Sequence, residues 1–374
     1  MIKIAYIIDN IATPSAGTEK QLLYLLNRLD RDKFEPHLVC LYPSEWMKNQ
    51  VFPCPVHYLG VHSLFSLDFF KGRKKFKELH QEHNFDIVQT FFKDGNIIGT
   101  LFADHADCPV IISSRRNIGY WHDKLQISIL RYLEKRTDYY LANSQSAVEM
   151  TIEIEKAERK KFTVIYNGLD LDRFKNVDPN LRLEVRDCWK ISDDDILIGA
   201  VANLRPVKNI DIMIEAALLL KDDHPELKYV VIGEGPMRGE LQQKIDSYDL
   251  KNRFFLAGRI DDVIGPLTAF DIAVLPSANE SFSNSLIEYM AAGKPIIAGA
   301  VGGNVEAIAD NSTGLLYNPS NPDELAEKIK TFLADRENAY TMGDCAAKTA
   351  FEKYDIDSMI KNHQEYYTRL VGSE

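Results

Sequence analysis

The segment from Asp271 to Pro295, DIAVLPSANESFSNSLIEYMAAGKP, contains in order a buried strand, a polar loop and a helix. The strand is a continuous apolar run, as a parallel sheet covered on both faces requires. The helix begins near Ser283 and Asn284, and Gly293 followed by a proline ends it. We therefore predict a strand–loop–helix unit whose polar loop lies at the carboxyl end of a parallel strand.

The same alternation of short apolar runs and longer periodic segments extends along the chain and is typical of βαβ units. The runs are IKIAYII, HLVCLY, DIVQTFF, PVIISS, DYYLANS and FTVIYNG in the first half and ILIGAVANL, KYVVIGEG, RFFLAG, DIAVLPS and PIIAGA in the second. The length of 374 residues is roughly twice that of a usual domain. We predict an α/β protein of two Rossmann-like, doubly wound parallel-sheet domains that face a cleft.

The boundary between the domains is predicted where the chain loses strand character, between Asn167 and Asp195. We place the first domain at residues 1–178 and the second at 179–355. Residues 356–374 have helical spacing and follow the last helix of the second domain. We predict that they cross back to the first domain.

The net charge of -11 is concentrated in the second half of the chain. Residues 1–180 contain 24 Lys and Arg and 23 Asp and Glu. Since the whole chain has 44 and 55 of these, residues 181–374 contain 20 Lys and Arg and 32 Asp and Glu. A protein that binds nucleic acid needs a basic face, so this class is excluded. No apolar run approaches the roughly 18 residues of a membrane span. The odd number of cysteines, five, without a CxxC pair, indicates reduced thiols in the cytoplasm.

Ligands of doubly wound sheets bind beyond the carboxyl ends of the strands, and two loops at such positions could hold a phosphate. Gly17 follows the first strand, allows close backbone approach and begins a helix whose N-terminal N–H groups suit an anion. Arg205 and Lys208 follow ILIGAVANL, and a bound diphosphate would bring these two cations together. An ordinary turn and solvated cations are the alternatives.

The polar loop after the strand of residues 271–275 carries the strongest signal, because Glu280 precedes the helix and Glu288 lies inside it. The loop N–H groups and the helix dipole would hold a phosphate between two carboxylates, which bind sugar hydroxyls well. The alternative is a capped surface helix with incidental acids. The glycines of YVVIGEGPMRG, which include Gly233, are interpreted as turn glycines near a ligand, because Glu234 and Pro236 do not suit a dinucleotide.

The run ESFSNSLIE, from Glu280 to Glu288, resembles the E-x7-E motif of retaining glycosyltransferases of family 4, which have the GT-B fold. The resemblance covers the whole chain. The further matches are Gly17-Thr-Glu-Lys, Val164 to Asp170 with its N-G-x-D segment, Val201 to Lys208, Gly233-Glu-Gly-Pro, Asp271 to Ser277 and Gly293-Lys-Pro. The resemblance implies a metal-independent transferase that moves a sugar from a nucleotide-diphosphate sugar to a glycan or lipid-linked acceptor with retention.

The resemblance also implies the roles of individual residues. Arg205 and Lys208 would hold the diphosphate, Glu288 the ribose and Glu280 the hydroxyls of the sugar. No metal or other cofactor is implied, because the cations and the helix end replace Mg²⁺ in stabilising the leaving group, and no DxD-like loop follows a strand. The predicted catalytic residues are Glu280, Arg205 and Lys208, and the predicted donor-binding residues are Gly17, Ser281, Phe282, Ser283, Asn284, Ser285, Glu288, Gly233 and Arg259.

The chain departs from the family pattern at two places. Ala202-Asn-Leu204 stands where relatives commonly have Gly-Arg-Leu, and Arg205 follows. Relatives often have a histidine after the fourth strand of the first domain, where this chain has Ser113-Ser-Arg-Arg-Asn117. We therefore predict that Arg115 and Arg116 contact an anionic part of the donor or acceptor. His122 and His105 are the nearby candidates for the missing histidine, and His122 is also a candidate acceptor contact, the alternative being that both histidines are structural.

Three other functions fit the same fold: a nucleotide-sugar epimerase, a sugar phosphorylase and a non-catalytic subunit that binds sugar nucleotides. The non-catalytic subunit is disfavoured because Glu280, Glu288, Arg205 and Lys208 are all present. An NAD oxidoreductase is disfavoured because no glycine fingerprint follows the first strand.

Within the first half of the chain, whose charges nearly balance, cations form clusters beside one apolar helical stripe. We predict that this half makes a peripheral contact with the inner face of an anionic membrane, the alternative being a solvated basic helix whose stripe packs into the core. The basic clusters are Lys71–Lys77, Arg131–Arg136 and Lys156–Lys161, and the stripe is Trp121, Leu125, Ile129 and Leu133.

Overall fold

The computed structural model describes residues 1–14, 17–117 and 123–372, and the chain forms two compact units. The N-terminal unit consists of Met1–Gly168 and Ile356–Glu374, and the C-terminal unit of Leu169–Asp355. The division falls at 168 rather than at the predicted 178. Leu171 is buried in the C-terminal unit and Arg173 forms an ion pair of 3.0 Å with Asp262 there, so residues 169–178 belong to it.

The N-terminal unit is built on a parallel sheet of seven described strands. The strands are β1 (Ile2–Ile8), β2 (Phe34–Cys40), β3 (Val56–Tyr58), β4 (Ile87–Thr90), β5 (Val110–Arg115), β6 (Tyr139–Ala142) and β7 (Phe162–Val164). Their order in the sheet is β3-β2-β1-β4-β5-β6-β7. The order reverses between β1 and β4, which makes that position the switch point where ligands bind in such sheets. The edge strand β3 has no counterpart among the predicted runs because it is only three residues long.

Helices cover both faces of this sheet, and apolar clusters fill the two layers. The described helices of the N-terminal unit are α1 (Gly17–Arg28), α2 (Glu45–Lys48), α3 (Leu67–His83), α4 (Thr100–His105), α5 (Lys124–Leu133), α6 (Gln145–Glu155) and, from the far end of the chain, α15 (Ile356–Val371). Shorter 3-10 or π turns span Gly95–Gly99, Glu134–Arg136 and Arg159–Lys161.

Helix α15 completes the core of the N-terminal unit. Its buried residues recur at helical spacing and pack with β1 and α1, while Arg28 forms an ion pair of 2.8 Å with Asp357. The Tyr367 hydroxyl donates a 2.6 Å hydrogen bond to Gln89 Oε1 in the middle of the sheet. A segment distant in sequence thereby supplies one face of this core.

The C-terminal unit repeats the plan with six described parallel strands. These are β8 (Ile196–Val201), β9 (Leu227–Ile232), β10 (Phe254–Gly258), β11 (Ile272–Leu275), β12 (Ile296–Gly299) and β13 (Leu315–Tyr317), in the sheet order β10-β9-β8-β11-β12-β13. The switch point of this sheet therefore lies between β8 and β11. The predicted α/β class with two parallel sheets is confirmed.

A large apolar cluster, together with buried residues outside it such as Leu197 and Ile287, forms the core on which the helices of the C-terminal unit pack. Those described are α7 (Asn180–Trp189), α8 (Ile210–Leu219), α9 (Arg238–Ser247), α10 (Ile264–Ala269), α11 (Asn284–Ala291), α12 (Asn304–Ala307), α13 (Pro322–Ala334) and α14 (Arg336–Lys353), with 3-10 turns at Asp172–Phe174 and Pro206–Lys208. In the described part of the chain, no helix has the length and apolar character that crossing a bilayer demands.

Asp271 ties α7 to the sheet of this unit. Its carboxylate accepts hydrogen bonds from Arg182 at 2.7 Å, Arg186 at 3.1 Å and the Leu197 N–H at 2.7 Å. Asp271 is almost fully buried. This carboxylate therefore has a structural role, as expected of an aspartate at a helix-to-strand turn.

Candidate active site

A charged pair lies at the switch point of the C-terminal sheet. Lys208 ends the 3-10 turn that follows β8, and Glu280 lies in the loop that follows β11. Lys208 Nζ donates to Glu280 Oε2, and Ser277 Oγ donates to the same oxygen at 3.3 Å. The side chains are 20% and 14% exposed, so the pair is shielded but open to solvent. Two residues predicted from separate motifs are thus brought together.

Backbone contacts fix the two loops that carry this pair. The Ala278 N–H donates to the Val207 carbonyl at 3.0 Å. Asn209 adopts the left-handed conformation, and its side-chain amide donates to Pro276 O at 3.3 Å and Pro319 O at 2.7 Å. Asn209 was missed as a positioning residue, although asparagine directly before a helix is a signal for such a turn.

The loop before α11 is closely packed. Ser281, Phe282 and Ser283 are almost fully buried, and the Phe282 ring meets Tyr354 edge-on with centroids 5.2 Å apart. Gly303 donates its N–H to Glu280 O at 3.1 Å, and a Cβ at this glycine would lie 2.0 Å from Ser281 O. Gly303 was not predicted from the sequence, and its lack of a side chain lets the loop after β12 support residues 280–282.

Helix α11 presents its N-terminus beside this loop. Ser283 is the N-cap residue, yet its side chain forms no capping hydrogen bond. Tyr289 is buried, and its hydroxyl accepts a 2.5 Å hydrogen bond from the Val201 N–H at the end of β8. Burial raises the pKa of Tyr289 well above its ordinary value, so the hydroxyl stays protonated. The predicted residues Asn284, Ser285 and Glu288 lie on α11 and are half-buried.

The structure does not bring Arg205 and Arg259 into the charged pair. Arg205 is exposed, and its side chain makes no hydrogen bond or ion pair with the described residues. Arg259 donates to Asp261 at 2.8 Å. Gly233 fits the interpretation as a turn glycine, because a Cβ there would lie 2.0 Å from Ala202 O in the neighbouring loop. Its N–H donates to Gly258 O at 2.8 Å.

The predicted residues of the N-terminal unit have different environments. Gly17 is exposed and begins α1, His105 is exposed at the end of α4, and His122 lies outside the described residues. Arg115 is buried and forms a two-pronged ion pair with Glu155 on α6, at 3.0 Å and 2.7 Å. Its guanidinium is thus engaged inside the unit, and its contact with a ligand stays a prediction.

Arg116 faces the buried interior beside α15. It donates to Asn167 Oδ1, while its Nε has no hydrogen-bond partner among the described residues. Burial lowers the pKa of Arg116 to about 10, against a smaller raising effect of Tyr367. The same cation contributes to the low pKa of His363, about 4, although burial is the larger cause there.

Asp9 is a further candidate that was not predicted from the sequence. It follows β1 at the switch point of the N-terminal sheet and accepts a hydrogen bond from the Gly95 N–H after β4. Burial, and then the charge of Asp94, raise the pKa of Asp9 to about 7. An aspartate at the end of a strand is commonly a turn residue, so a functional role of Asp9 could not be predicted from the sequence alone.

Comparisons with known families cover both units. The family model described as glycosyl transferases group 1 matches residues 182–349, and the one described as Glycosyltransferase Family 4 matches residues 15–173. The chain is 30% identical over 245 residues to a D-inositol 3-phosphate glycosyltransferase of Streptomyces avermitilis, which covers 63% of this chain and 52% of that protein. The chain spans 52–64% of the length of several curated relatives.

Two further matches extend over almost the whole chain. A Campylobacter jejuni N-acetylgalactosamine-N,N'-diacetylbacillosaminyl-diphospho-undecaprenol 4-alpha-N-acetylgalactosaminyltransferase is 26% identical over 361 residues, covering 91% of this chain and 94% of that one. The crystal structure of Anabaena HepE in complex with UDP superposes with a TM-score of 0.86 at 22% identity, covering 98% and 100% of the two chains. The architecture is that of the GT-B class. The chain belongs to glycosyltransferase family 4.

Proposed function

We propose that this protein is a retaining, metal-independent glycosyltransferase that uses a nucleotide-diphosphate sugar as donor and a glycan or lipid-linked acceptor. The observation that carries the proposal is the Lys208–Glu280 pair beside the N-terminus of α11, at the switch point of the C-terminal sheet. A cation and a helix N-terminus suit the diphosphate, and a carboxylate suits sugar hydroxyls. All three come from one unit.

The arrangement suits stabilisation of a leaving group. Negative charge develops on the diphosphate as the bond to the sugar breaks, and the fixed charge of Lys208 together with the dipole of α11 would stabilise it. Arg205 is exposed and its side chain has no partner among the described residues, so it is available to a phosphate. Because Ser277 and Lys208 both donate to Oε2 of Glu280, that carboxylate is held in place to accept hydrogen bonds from the sugar.

The relatives support the choice of substrates. The HepE structures are described as complexes with UDP, with UDP and glucose, and with UDP-glucose. The name of the Campylobacter relative specifies an acceptor linked to diphospho-undecaprenol. A nucleotide sugar and a lipid-linked acceptor are therefore the substrate classes to test first.

The test begins with thermal-shift screening of the protein against UDP, GDP and ADP sugars, because a bound donor raises the melting temperature. The donor that binds is then incubated with candidate acceptors, and NMR of the product determines the anomeric configuration. We expect transfer with retention. Inversion would contradict the retaining mechanism, whereas an epimerised nucleotide sugar or a sugar phosphate as product would indicate an epimerase or a phosphorylase.

We also propose that the N-terminal unit contacts an anionic membrane at the cytoplasmic face, through a surface that differs from the predicted stripe. Leu133 is buried and Ile129 partly buried, so this part of the stripe packs into the core. Trp121 lies outside the described residues. Leu125 is 57% exposed.

The start of α3 offers a better surface for this contact. Phe65, Leu67 and Phe70 are 80%, 83% and 58% exposed. Leu67, Phe70, Lys71 and Lys74 recur at i, i+3, i+4 and i+7 and therefore share one face of the helix. An exposed apolar turn followed by cations suits the interface of an anionic bilayer.

Sedimentation with phosphatidylglycerol vesicles tests this surface. We expect binding at low salt, release at high salt, and loss in the double variant Lys71→Glu/Lys74→Glu, since each cation contributes roughly 1 kcal/mol. Lys48→Glu, at an exposed site in the same unit, is the matched control. Binding that does not depend on lipid charge and salt, or the absence of binding, would contradict the proposed membrane contact. Either result would leave the proposed sugar transfer unaffected.

A further inference from the structure

Three histidines of the N-terminal unit converge at the edge of its sheet. His37 lies on β2, His57 on β3, and His83 is the last residue of α3. One ring nitrogen from each lies within 4.8 Å of the others, and His37 Nδ1 is 3.1 Å from His57 Nε2. Within residues 1–14, 17–117 and 123–372, this is the one group of three potential metal ligands found at such spacing.

The sheet register and α3 produce this convergence. Glu35, His37 and Val39 alternate along β2 and share the face on which Val39 packs, and Val39 pairs with His57 in the register of β2 and β3. His83 approaches from the end of α3, with its ring centroid 4.5 Å from that of His37 and 5.5 Å from that of His57. Three separate elements therefore each contribute one imidazole.

A carboxylate orients the central ring. His37 Nε2 is 3.0 Å from Glu35 Oε1, so the Nε2 proton is donated to that carboxylate. The lone pair of His37 then lies on Nδ1, the atom that faces His57. A metal-bound histidine typically donates its other N–H to a carboxylate in this way, which fixes the tautomer and makes the ring a better ligand.

The rings of His37 and His57 favour the neutral state, which is the state that binds metals. Burial, reinforced by the neighbouring histidines, lowers the pKa of His57 to about 4, and burial also lowers the pKa of His37. Cations oppose binding, because Lys3 Nζ donates to the His83 carbonyl at 2.9 Å and Lys75 also lies near His57. Glu35 and Glu82 supply compensating negative charge.

We propose that His37, His57 and His83 form a binding site for a late first-row divalent cation, with Zn²⁺ as the first choice. Three imidazoles suit Zn²⁺, and Zn–N bonds of about 2.0–2.1 Å in a tetrahedral site place ligand nitrogens roughly 3.3 Å apart, close to the 3.1 Å between His37 and His57. Water or Glu82, whose Oε1 is 3.9 Å from His83 Nε2, would complete the coordination.

Such a site would join the edge strands β2 and β3 to the end of α3. The strand β3 is three residues long and is paired on one side by β2. A metal that bridges β2, β3 and α3 would stabilise this edge. Its residues are separate from Lys208, Glu280 and α11. The metal site and the proposed sugar transfer can therefore be tested independently of each other.

Titration with Co²⁺ tests the site in full-length protein without a polyhistidine tag, after treatment with chelator. We expect one equivalent of Co²⁺ to give the visible absorption of a tetrahedral ion, one equivalent of Zn²⁺ to displace it, and Zn²⁺ to raise the melting temperature. Glu35→Gln should weaken binding roughly 10- to 100-fold. His57→Gln and His83→Gln should abolish the absorption.

His62→Gln is the matched control, because His62 is an exposed histidine of the same unit outside the cluster. His37 is almost fully buried, so the ligand variants are made at the more exposed His57 and His83, and circular dichroism verifies their fold. Failure of the wild-type protein to take up Co²⁺ and Zn²⁺ overturns the proposal. Uptake that is unchanged in the double variant His57→Gln/His83→Gln also overturns it.

Discussion

Each unit carries a lysine or arginine at the end of a strand or in the loop beyond it that pairs with a glutamate, but the two pairs differ in burial. In the N-terminal unit, Arg115 and Glu155 are 6% and 0% exposed. In the C-terminal unit, Lys208 and Glu280 are 20% and 14% exposed. Both cations were predicted to contact anions from the same kind of sequence position. The difference in burial separates a pair that holds the fold from one that a ligand can reach.

The energetics of the two pairs explain this separation. A buried pair has lost its hydration, so removing one partner leaves a charge that neither water nor protein compensates. Arg115 is held further by Ser113 Oγ at 2.5 Å and by the Tyr140 ring, whose centroid lies 4.9 Å from its Cζ. An open pair can exchange its partner for a phosphate or a hydroxyl at much smaller cost.

The largest effect is expected on splitting the buried pair. Glu155→Ala should lower the free energy of unfolding by about 3–5 kcal/mol, because it leaves Arg115 unpaired in the core. Urea denaturation measures the loss, and Glu153→Ala, an exposed site on the same helix, is the control. If both variants were equally stable, the buried pair would not differ from a surface contact and the comparison would fail.

Splitting the open pair should instead affect turnover. We expect Lys208→Ala and Glu280→Gln each to raise the barrier by about 3 kcal/mol, or slow turnover roughly a hundredfold, with the melting temperature nearly unchanged. The double variant should lose less than the sum, because the two side chains touch. Glu327→Gln, in an exposed ion pair with Lys330, is the control. Near wild-type turnover in either variant would remove that residue from the mechanism.

The two pairs also show which features of the structure could be predicted from the sequence and which could not. The apolar runs predicted the two parallel sheets, and the strand–loop–helix pattern led to Lys208 and Glu280. The sequence could not predict that Glu155 would neutralise Arg115, because the partners lie forty positions apart on a strand and a helix. Nor could it predict Asn209 and Gly303, whose roles depend on contacts between distant loops.

A smaller loss in the free energy of unfolding is expected on acidification. It should arise mainly in the N-terminal unit, because that unit contains every histidine except His224. The pKa of buried His363 is lowered to about 4, below its unfolded value, so its contribution is complete above pH 6.5 and is lost as the pH falls towards 4. Between pH 7 and pH 5 this should cost about 2 kcal/mol. His363 is surrounded by Arg116, the Met359 carbonyl and the Tyr367 ring.

Unfolding of His363→Asn at both pH values measures this contribution. The variant should lose less stability than the wild type between pH 7 and pH 5, while His224→Gln should behave as the wild type. An identical pH dependence in His363→Asn and the wild type would show that other groups cause the acid sensitivity.

The smallest effect is expected from chelation. Since Lys208 and the dipole of α11 are proposed to replace Mg²⁺, EDTA should leave the rate of sugar transfer at 25 °C unchanged. The histidine cluster predicts that EDTA nevertheless lowers the melting temperature, and that this shift disappears in His57→Gln. Complete loss of turnover on chelation, restored by Mn²⁺, would contradict metal-independent transfer.

The return of α15 to the N-terminal unit has a consequence for biosynthesis. The ribosome completes the C-terminal unit, one continuous stretch from 169 to 355, before it makes α15. One apolar face of the nascent N-terminal sheet therefore stays uncovered while the whole second domain is synthesised. Tyr6 and Phe34 lie in the cluster that α15 later completes. During translation the inserted domain should reach its native state first, and chaperones should engage mainly the exposed face of the earlier one.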